Sequence, residues 1–320
     1  MKNYHFKIYV CLFIVMITGA KVLAQNKECD YITSRYYHKV AQAELLWMEE
    51  NKEECYRVLL NLDSACVLLN GGWNELYHFT ELCLLYENYT KAAESMRSLI
   101  ANYGIRLNDF KDLPNFCERK KMPNWKSLRK ELLHLEKNFV SDTKLCNEIM
   151  QIFEDCRNSK GKDSILNVNF QKLLHIINTK GFPLSSSIKY YYTERAKIFH
   201  AMYFILLYFS DSTKINQLKP ILLQCIRQGD CPPDMLSGME DLNQMRNKQP
   251  FLYEMPSRCS RGKCSRENTL EPEELDLILR NIDERRKEIG LPDYEVYRKI
   301  WAKRNALHQV GNTPTQKKKR

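Results

Sequence analysis

Apolar residues recur every three or four positions along nearly the whole chain from about residue 33, and no convincing run alternates with the two-residue period of a half-buried strand. That spacing predicts an all-α protein. Glycine is scarce, eleven in 320 residues, and most of it lies between periodic segments, where it marks turns. The expected helices cover 33–50, 52–69, 73–86, 89–103, 124–139, 142–157, 164–179, 184–210, 213–228, 232–247, 271–288 and 293–307. The most apolar stretch, "IFHAMYFILLYF" at 198–209, is twelve residues long and includes His200. It falls short of the roughly 20 residues that span a bilayer and reads as a central buried helix.

The first four expected helices form two pairs related by a constant shift. "AELLWMEENKEECYRVLLNLDSA" from Ala43 aligns with "TELCLLYENYTKAAESMRSLIAN" from Thr80, 37 residues further on. Ala43 meets Thr80 and Cys55 meets Ala92, small residues where two antiparallel helices must approach closely. Leu59 meets Met96 and Leu62 meets Leu99, larger residues that fill the groove beside them. This is the pattern of helix-turn-helix units that bury their apolar faces against neighbours. Over about residues 36–104 the units resemble tetratricopeptide repeats, departing from that family in a period of 37 where 34 is usual and in the missing closing proline. Two such units are fewer than the three or so that stand alone, so they are expected to pack on the C-terminal part of the chain. With the first helix of each unit on the inner face, Tyr37, Glu44 and Trp47 from one and Tyr77 and Glu81 from the other point into a groove. Aromatics with scattered acids suit a peptide or protein partner there, an extended peptide or a partner helix. The competing expectation is a groove filled by the protein's own C-terminal domain.

Beyond Pro123 the chain carries an ordered set of landmarks: Trp125, Asp155 to Arg157, Gly181-Phe182-Pro183, His200, Gly229, Asp241, Tyr253, and Arg286 leading into Ile289-Gly290-Leu291. Over about 120–300 this order resembles a helical domain-of-unknown-function family of exported bacterial proteins, often found behind tetratricopeptide-like helices. The chain has Lys180 where that family tends to place a histidine, and Asp155-Cys156 where it tends to have Asp-Gln. Any catalytic set in the family is therefore incomplete here, which favours a binding or structural role. The alternative is a hydrolase-like enzyme centred on His200 and Asp241, since imidazole is suited to proton transfer near neutral pH. Against it, a histidine among Phe199, Ala201, Met202 and Tyr203 is more often a core residue, and Asp241 could simply bind backbone amides. No nucleophile elbow, phosphate-cradling glycine loop or zinc-protease motif occurs in the sequence, and no cofactor is expected.

The first residues bear on where the protein works. A lysine-bearing head, the apolar run "IYVCLFIVMITG" and "AKVLAQ" with Val22 and Ala24 in small-residue positions read as a cleavable secretory signal ending after Ala24, with no permanent membrane anchor. The mature protein is then periplasmic or secreted. The formal charge of +10 includes Lys2, Lys7 and Lys21 of that leader and four residues of the terminal "KKKR", leaving about +3 on the body, too little for a nucleic-acid face. The chain divides into a signal peptide at 1–24, tetratricopeptide-like repeats at 25–112, a C-terminal helical domain at 113–310 and a basic disordered tail at 311–320.

Twelve cysteines, eleven after loss of the leader, make disulfides plausible for an exported protein. The sequence leaves the connectivity open; Cys225 with Cys231 and Cys259 with Cys264 each bracket a short turn-rich segment and are the nearest-neighbour candidates, while Cys55, Cys66 and Cys83 fall at helical spacing and read as small apolar fillers. Neither a close Cys-x-x-Cys nor a helical His pair is present, so no metal is expected.

Overall fold

Asn51 and Asn88, 37 residues apart in sequence, occupy equivalent places in space. Each precedes a helix, at φ −82°, ψ 67° and φ −81°, ψ 69°, and each side chain accepts a hydrogen bond from the backbone N–H three residues on. Each follows a glutamate in the left-handed region, Glu50 at φ 59° and Glu87 at φ 56°. The computed structural model describes residues 29–71, 74–253 and 272–311, with side chains described at 279–306 of the last segment. Within it the shared turn closes two hairpins: α1 (Tyr36–Met48) with α2 (Lys52–Ala65), and α3 (Glu75–Leu85) with α4 (Tyr89–Tyr103). Ala43, Thr80, Cys55 and Ala92 are all fully buried, and the Cys55 thiol donates to the Ala43 carbonyl at 3.3 Å. A larger side chain at these positions would hold the paired helices apart.

Two short 3-10 turns, Asp109–Asp112 and Phe116–Lys121, lead from α4 to α5 (Trp125–Lys137), which packs on α4. One apolar core runs from Tyr31 through Leu128 and Leu132 of α5. A second is built from α6 (Thr143–Asn158), α7 (Asp163–Lys180), α8 (Tyr192–Tyr208), α9 (Ser212–Gln228) and α10 (Pro233–Arg246), with Ile198, Ala201, Met202, Ile205 and Leu206 of α8 buried in it. Finally α11 (Pro272–Glu288) and α12 (Tyr294–Gly311) bring the chain back so that α12 lies along α1. Arg304 pairs with Glu44 at 2.7 Å and Lys303 with Glu49 at 3.1 Å. The protein is all-α: no strand occurs among the described residues, and no helix there is long and apolar enough to cross a membrane.

One helix starts later than its periodicity suggests. The helix expected from 184 begins at Tyr192, because residues 182–191 form turns whose carbonyls are held by a side chain. Arg195 donates to Leu184 O at 2.7 Å and Ser185 O at 3.0 Å, giving these carbonyls the partners a helix would have supplied. The two cores meet beside this segment at Gly104, which ends α4 at φ 62°. A Cβ there would lie 2.7 Å from Tyr190 O and 2.8 Å from the Phe139 ring, so glycine is required by space as well as by φ.

The cysteine expectations need correction. Cys66 pairs with Cys29 at disulfide distance, with Cα atoms 5.4 Å apart, because Cys66 lies one residue past the end of α2 in extended backbone. Cys225 and Cys231 are separate buried thiols; the backbone turn that brings Cys231 N to Cys225 O at 3.3 Å leaves the Cys231 sulfur donating to Pro232 O. Cys259 and Cys264, the expected signal segment at 1–24 and the expected basic tail beyond Gly311 lie outside the described residues.

Candidate functional site

Where α1, the segment before α3, α8, the α9–α10 turn and α12 converge, they enclose a cleft of about 600 Å³. Its position follows from the architecture. The two cores are joined by the α4–Phe139–Tyr190 contact on one side, and α12 returns along α1 on the other. Between them the wall of α1 supplies Tyr37, Ala41 and Glu44, and α8 supplies Tyr192, Arg195, Ala196, Phe199 and Tyr203. Leu69, Asn70, Glu75 and Tyr103 come from the hairpins, Asp230 and Asp234 from the α9–α10 turn, and Tyr297, Ile300 and Arg304 from α12. Tyr192, Ala196 and Gly71 are exposed, so the rim meets solvent.

Four carboxyl groups face this space, and their surroundings differ. Glu44 is paired with Arg304. Glu75, 3% exposed at the first residue of α3, accepts from the Tyr36 hydroxyl at 3.3 Å and from Gly71 N at 3.2 Å. Burial pushes its carboxyl up to about 7, against the pull of those hydrogen bonds. Asp230 is raised by burial, partly offset by Ser185, the Ser186 amide and Arg195. Asp234, in the first turn of α10, is also raised by burial; Arg286 and Arg304 pull it down through space, but no hydrogen bond reaches its carboxylate among the described residues. Only Glu44 of the four has a cation within salt-bridge distance there.

The Glu75 environment gives a pH signature. Its proton is held more tightly in the folded state, so folding takes up a proton between the unfolded carboxyl value and the folded one. Stability contributed by the protonated carboxyl is complete below about 4.5 and is lost as pH rises through about 7. Glu75→Gln is expected to flatten that stretch of the stability–pH curve by a few kcal/mol relative to wild type, measured by urea unfolding at pH 5 and pH 8. Parallel curves for the two proteins would contradict the raised value. Tyr36, Tyr103 and Glu44 face the same carboxyl and are retained in both, so the difference isolates Glu75.

Of the residues expected to bind a partner, the structure places Tyr37 and Glu44 on the cleft. The Tyr37 hydroxyl bonds Ile226 O and Cys231 O, each at 3.2 Å. Trp47, Tyr77 and Glu81 lie elsewhere. Trp47 packs on His78 with ring centroids 4.3 Å apart, and burial lowers that imidazole to about 4. Tyr77 donates to Asp109 O at 2.9 Å and stacks on Phe110. Glu81 is buried between Lys52 and Asn115. Beyond the cleft, the expected groove faces of α1 and α3 are thus met by α12 and by the two 3-10 turns.

His200 and Asp241 are not brought together. His200 is exposed on α8, beside Phe204 and Phe153 at ring distances of 4.7 and 6.1 Å, and so is not the core residue its apolar neighbours suggest. Asp241 is fully buried and accepts from Leu252 N at 2.8 Å and Tyr253 N at 3.1 Å. Neither lines the cleft. The landmarks Asp241, Tyr253 and Arg286 form one supporting network: the Tyr253 hydroxyl donates to Glu240, and Arg286, 0% exposed, donates to Tyr253 O at 2.8 Å and Pro292 O at 2.7 Å.

Glu75, Asp230, Asp234, Arg195, Tyr203 and Tyr297 are absent from the expected set. Only "GDCPPD" at 229–234 carried a local signal, two acids flanking a turn with a double proline. The others come from segments far apart in the chain that sequence spacing cannot align. Comparison with protein-family models, with curated proteins and with solved structures finds no match to this chain.

Proposed function

We propose that this is an exported, non-catalytic binding protein whose tetratricopeptide-like hairpins and C-terminal helices frame a ligand cleft. The observation that carries the reading is the cleft itself. Its volume of about 600 Å³ lies within the roughly 300–1,000 Å³ of small-molecule sites, and its walls combine aromatic faces with a few polar groups at the junction of two cores. The occupant is then a small molecule or the end of a peptide rather than a long helix, since α12 already lies along α1. The leader-like first residues and the Cys29–Cys66 pair support export, because disulfides persist in oxidising compartments. The separation of His200 from Asp241 favours binding over the hydrolase alternative.

The test is a thermal-shift screen of small polar and aromatic compounds against wild type and Ala196→Trp. Ala196 is exposed on the cleft rim, so the indole fills the entrance without entering a core. Compounds that raise the wild-type Tm by several degrees are expected to leave the variant unmoved. Equal shifts in both proteins would remove the cleft from consideration, and no shift with any compound class would remove the binding role.

A further inference from the structure

We propose that the ligand of this cleft is an organic cation, a primary ammonium group on a short aliphatic chain. The inference rests on the cleft being the binding site and adds the chemistry of its occupant. Four acids and two bases line the space, Glu44, Glu75, Asp230 and Asp234 against Arg195 and Arg304. Arg304 is committed to Glu44. Arg195 donates from both terminal nitrogens to the carbonyls of Leu184 and Ser185. Set against Arg195, which keeps its charge beside those neutral carbonyls and whose Nε is buried without a hydrogen-bond partner among the described residues, are a partly buried Asp234 carboxylate with no hydrogen bond there and two further carboxyls without an ion-pair partner there.

The positive ends of α3 and α10 lie beside Glu75 and Asp234, but a helix N-terminus supplies only about +0.5 of an elementary charge. Arg286 and Arg304 reach Asp234 only through space, and Glu75 and Asp230 are held by hydrogen-bond donors without an ion pair among the described residues, so the cleft keeps two more carboxyls than guanidinium groups. A metal ion would need its ligands converged on one point, and no group of three His, Cys, Asp or Glu among the described residues could hold one. Carboxyls contributed by separate elements, α1, α3 and the α9–α10 turn, suit an organic cation with a chain behind its charge rather than a single ion. The walls agree: Tyr37 has its hydroxyl turned to backbone carbonyls, leaving the ring as cleft surface, and Phe199, Tyr203 and Tyr297 add further faces. Aromatic faces attract ammonium groups and accommodate the methylenes behind them. A neutral polyol would use the carboxyls as hydrogen-bond acceptors but would leave the excess of negative charge in place.

Three five-carbon probes of equal length isolate the charge: 1,5-diaminopentane, 1,5-pentanediol and glutarate, titrated by calorimetry into the full chain at pH 7.5. The diamine is expected to bind at least tenfold more tightly than the diol, and Asp234→Asn to weaken the diamine at least tenfold while leaving the variant's own Tm unchanged or higher. Blocked lysine, acetylated at Nα and amidated at the carboxyl, separates the two sources of such a group. Tighter binding than the diamine assigns it to a peptide side chain, and weaker binding to a free amine; both support the ammonium. Preference for the diol or for glutarate, blocked by Ala196→Trp, would overturn the cation while keeping the cleft as a binding site. Diamine binding that Ala196→Trp and Asp234→Asn both leave intact would overturn the assignment to this cleft.

Discussion

Replacing Arg286 by alanine is expected to remove about 3–5 kcal/mol of folding stability, the range for breaking a buried polar network from one side. Arg286 is 0% exposed and is the largest fully buried side chain among the described residues. Its Nε donates to Pro292 O and one terminal nitrogen to Tyr253 O, while the guanidinium lies 4.9 Å from the Tyr297 ring centroid. Alanine strands two buried carbonyls, each costing about 1–3 kcal/mol, and opens a cavity against Tyr297. The opposing effect is relief of a desolvated charge, which burial already penalises by lowering the guanidinium pKa. Arg286→Met retains the stem and takes the same relief, so its loss should be roughly half that of alanine. Urea unfolding measures both. Amide exchange at Leu252 and Tyr253, whose N–H groups are held by Asp241, should accelerate in the alanine variant. An alanine variant within about 1 kcal/mol of wild type would show that the tie between α11 and the 250–253 segment carries little of the fold's stability.

Opening the Cys29–Cys66 link should produce the next largest loss. The two residues are 37 apart, and closing a loop of that length restricts the unfolded chain by about 4 kcal/mol on the entropic account, with 2–4 kcal/mol usual in practice. The loop holds α1 and all of α2, and residues beside its ends bind the second core: Tyr31 N donates to Arg227 O at 2.9 Å and Asp30 pairs with Arg227 at 2.8 Å. Cys29→Ser with Cys66→Ser is therefore expected to fall below oxidised wild type by about 2–4 kcal/mol, and reductant to lower wild type to the same level. Neighbouring thiols should not interfere, since Cys55 is buried and burial raises its thiol to about 12, leaving almost no thiolate to exchange. Oxidised wild type matching the double variant, or free Cys29 and Cys66 found by alkylation without reductant, would refute the bridge.

The hairpins were readable because their requirement is local and repeats. A small side chain at a helix crossing leaves the same trace at Ala43 and Thr80 and again at Cys55 and Ala92, and an asparagine cap at Asn51 recurs at Asn88. The late start of α8 was less readable. "LSSSIKYY" continues a helical period, yet Pro183, the serines and the reach of Arg195 favour turns. The cysteine pairs show the same divide: Cys225 and Cys231 are near in sequence but remain separate thiols, whereas Cys66 finds its partner across a complete hairpin.

Among the groove residues chosen from periodicity, Tyr37 and Glu44 reached the cleft while Trp47, Tyr77 and Glu81 did not. Helical spacing gives the direction of a side chain relative to its own axis, which placed Tyr37 and Glu44 on one face. It carries no information on what packs there, so it could not anticipate the 3-10 turns over Tyr77 and Glu81 or α12 along α1. The all-α class, the two stacked hairpins and nearly all helix positions were set by amino-acid pattern alone, because hydrogen bonding, capping and apolar period act within a few residues. The cleft arose at the tertiary level, since Glu75, Arg195, Asp234 and Tyr297 meet through the return of the chain on itself, and their shared burial is a property of the space between elements and of none of them separately.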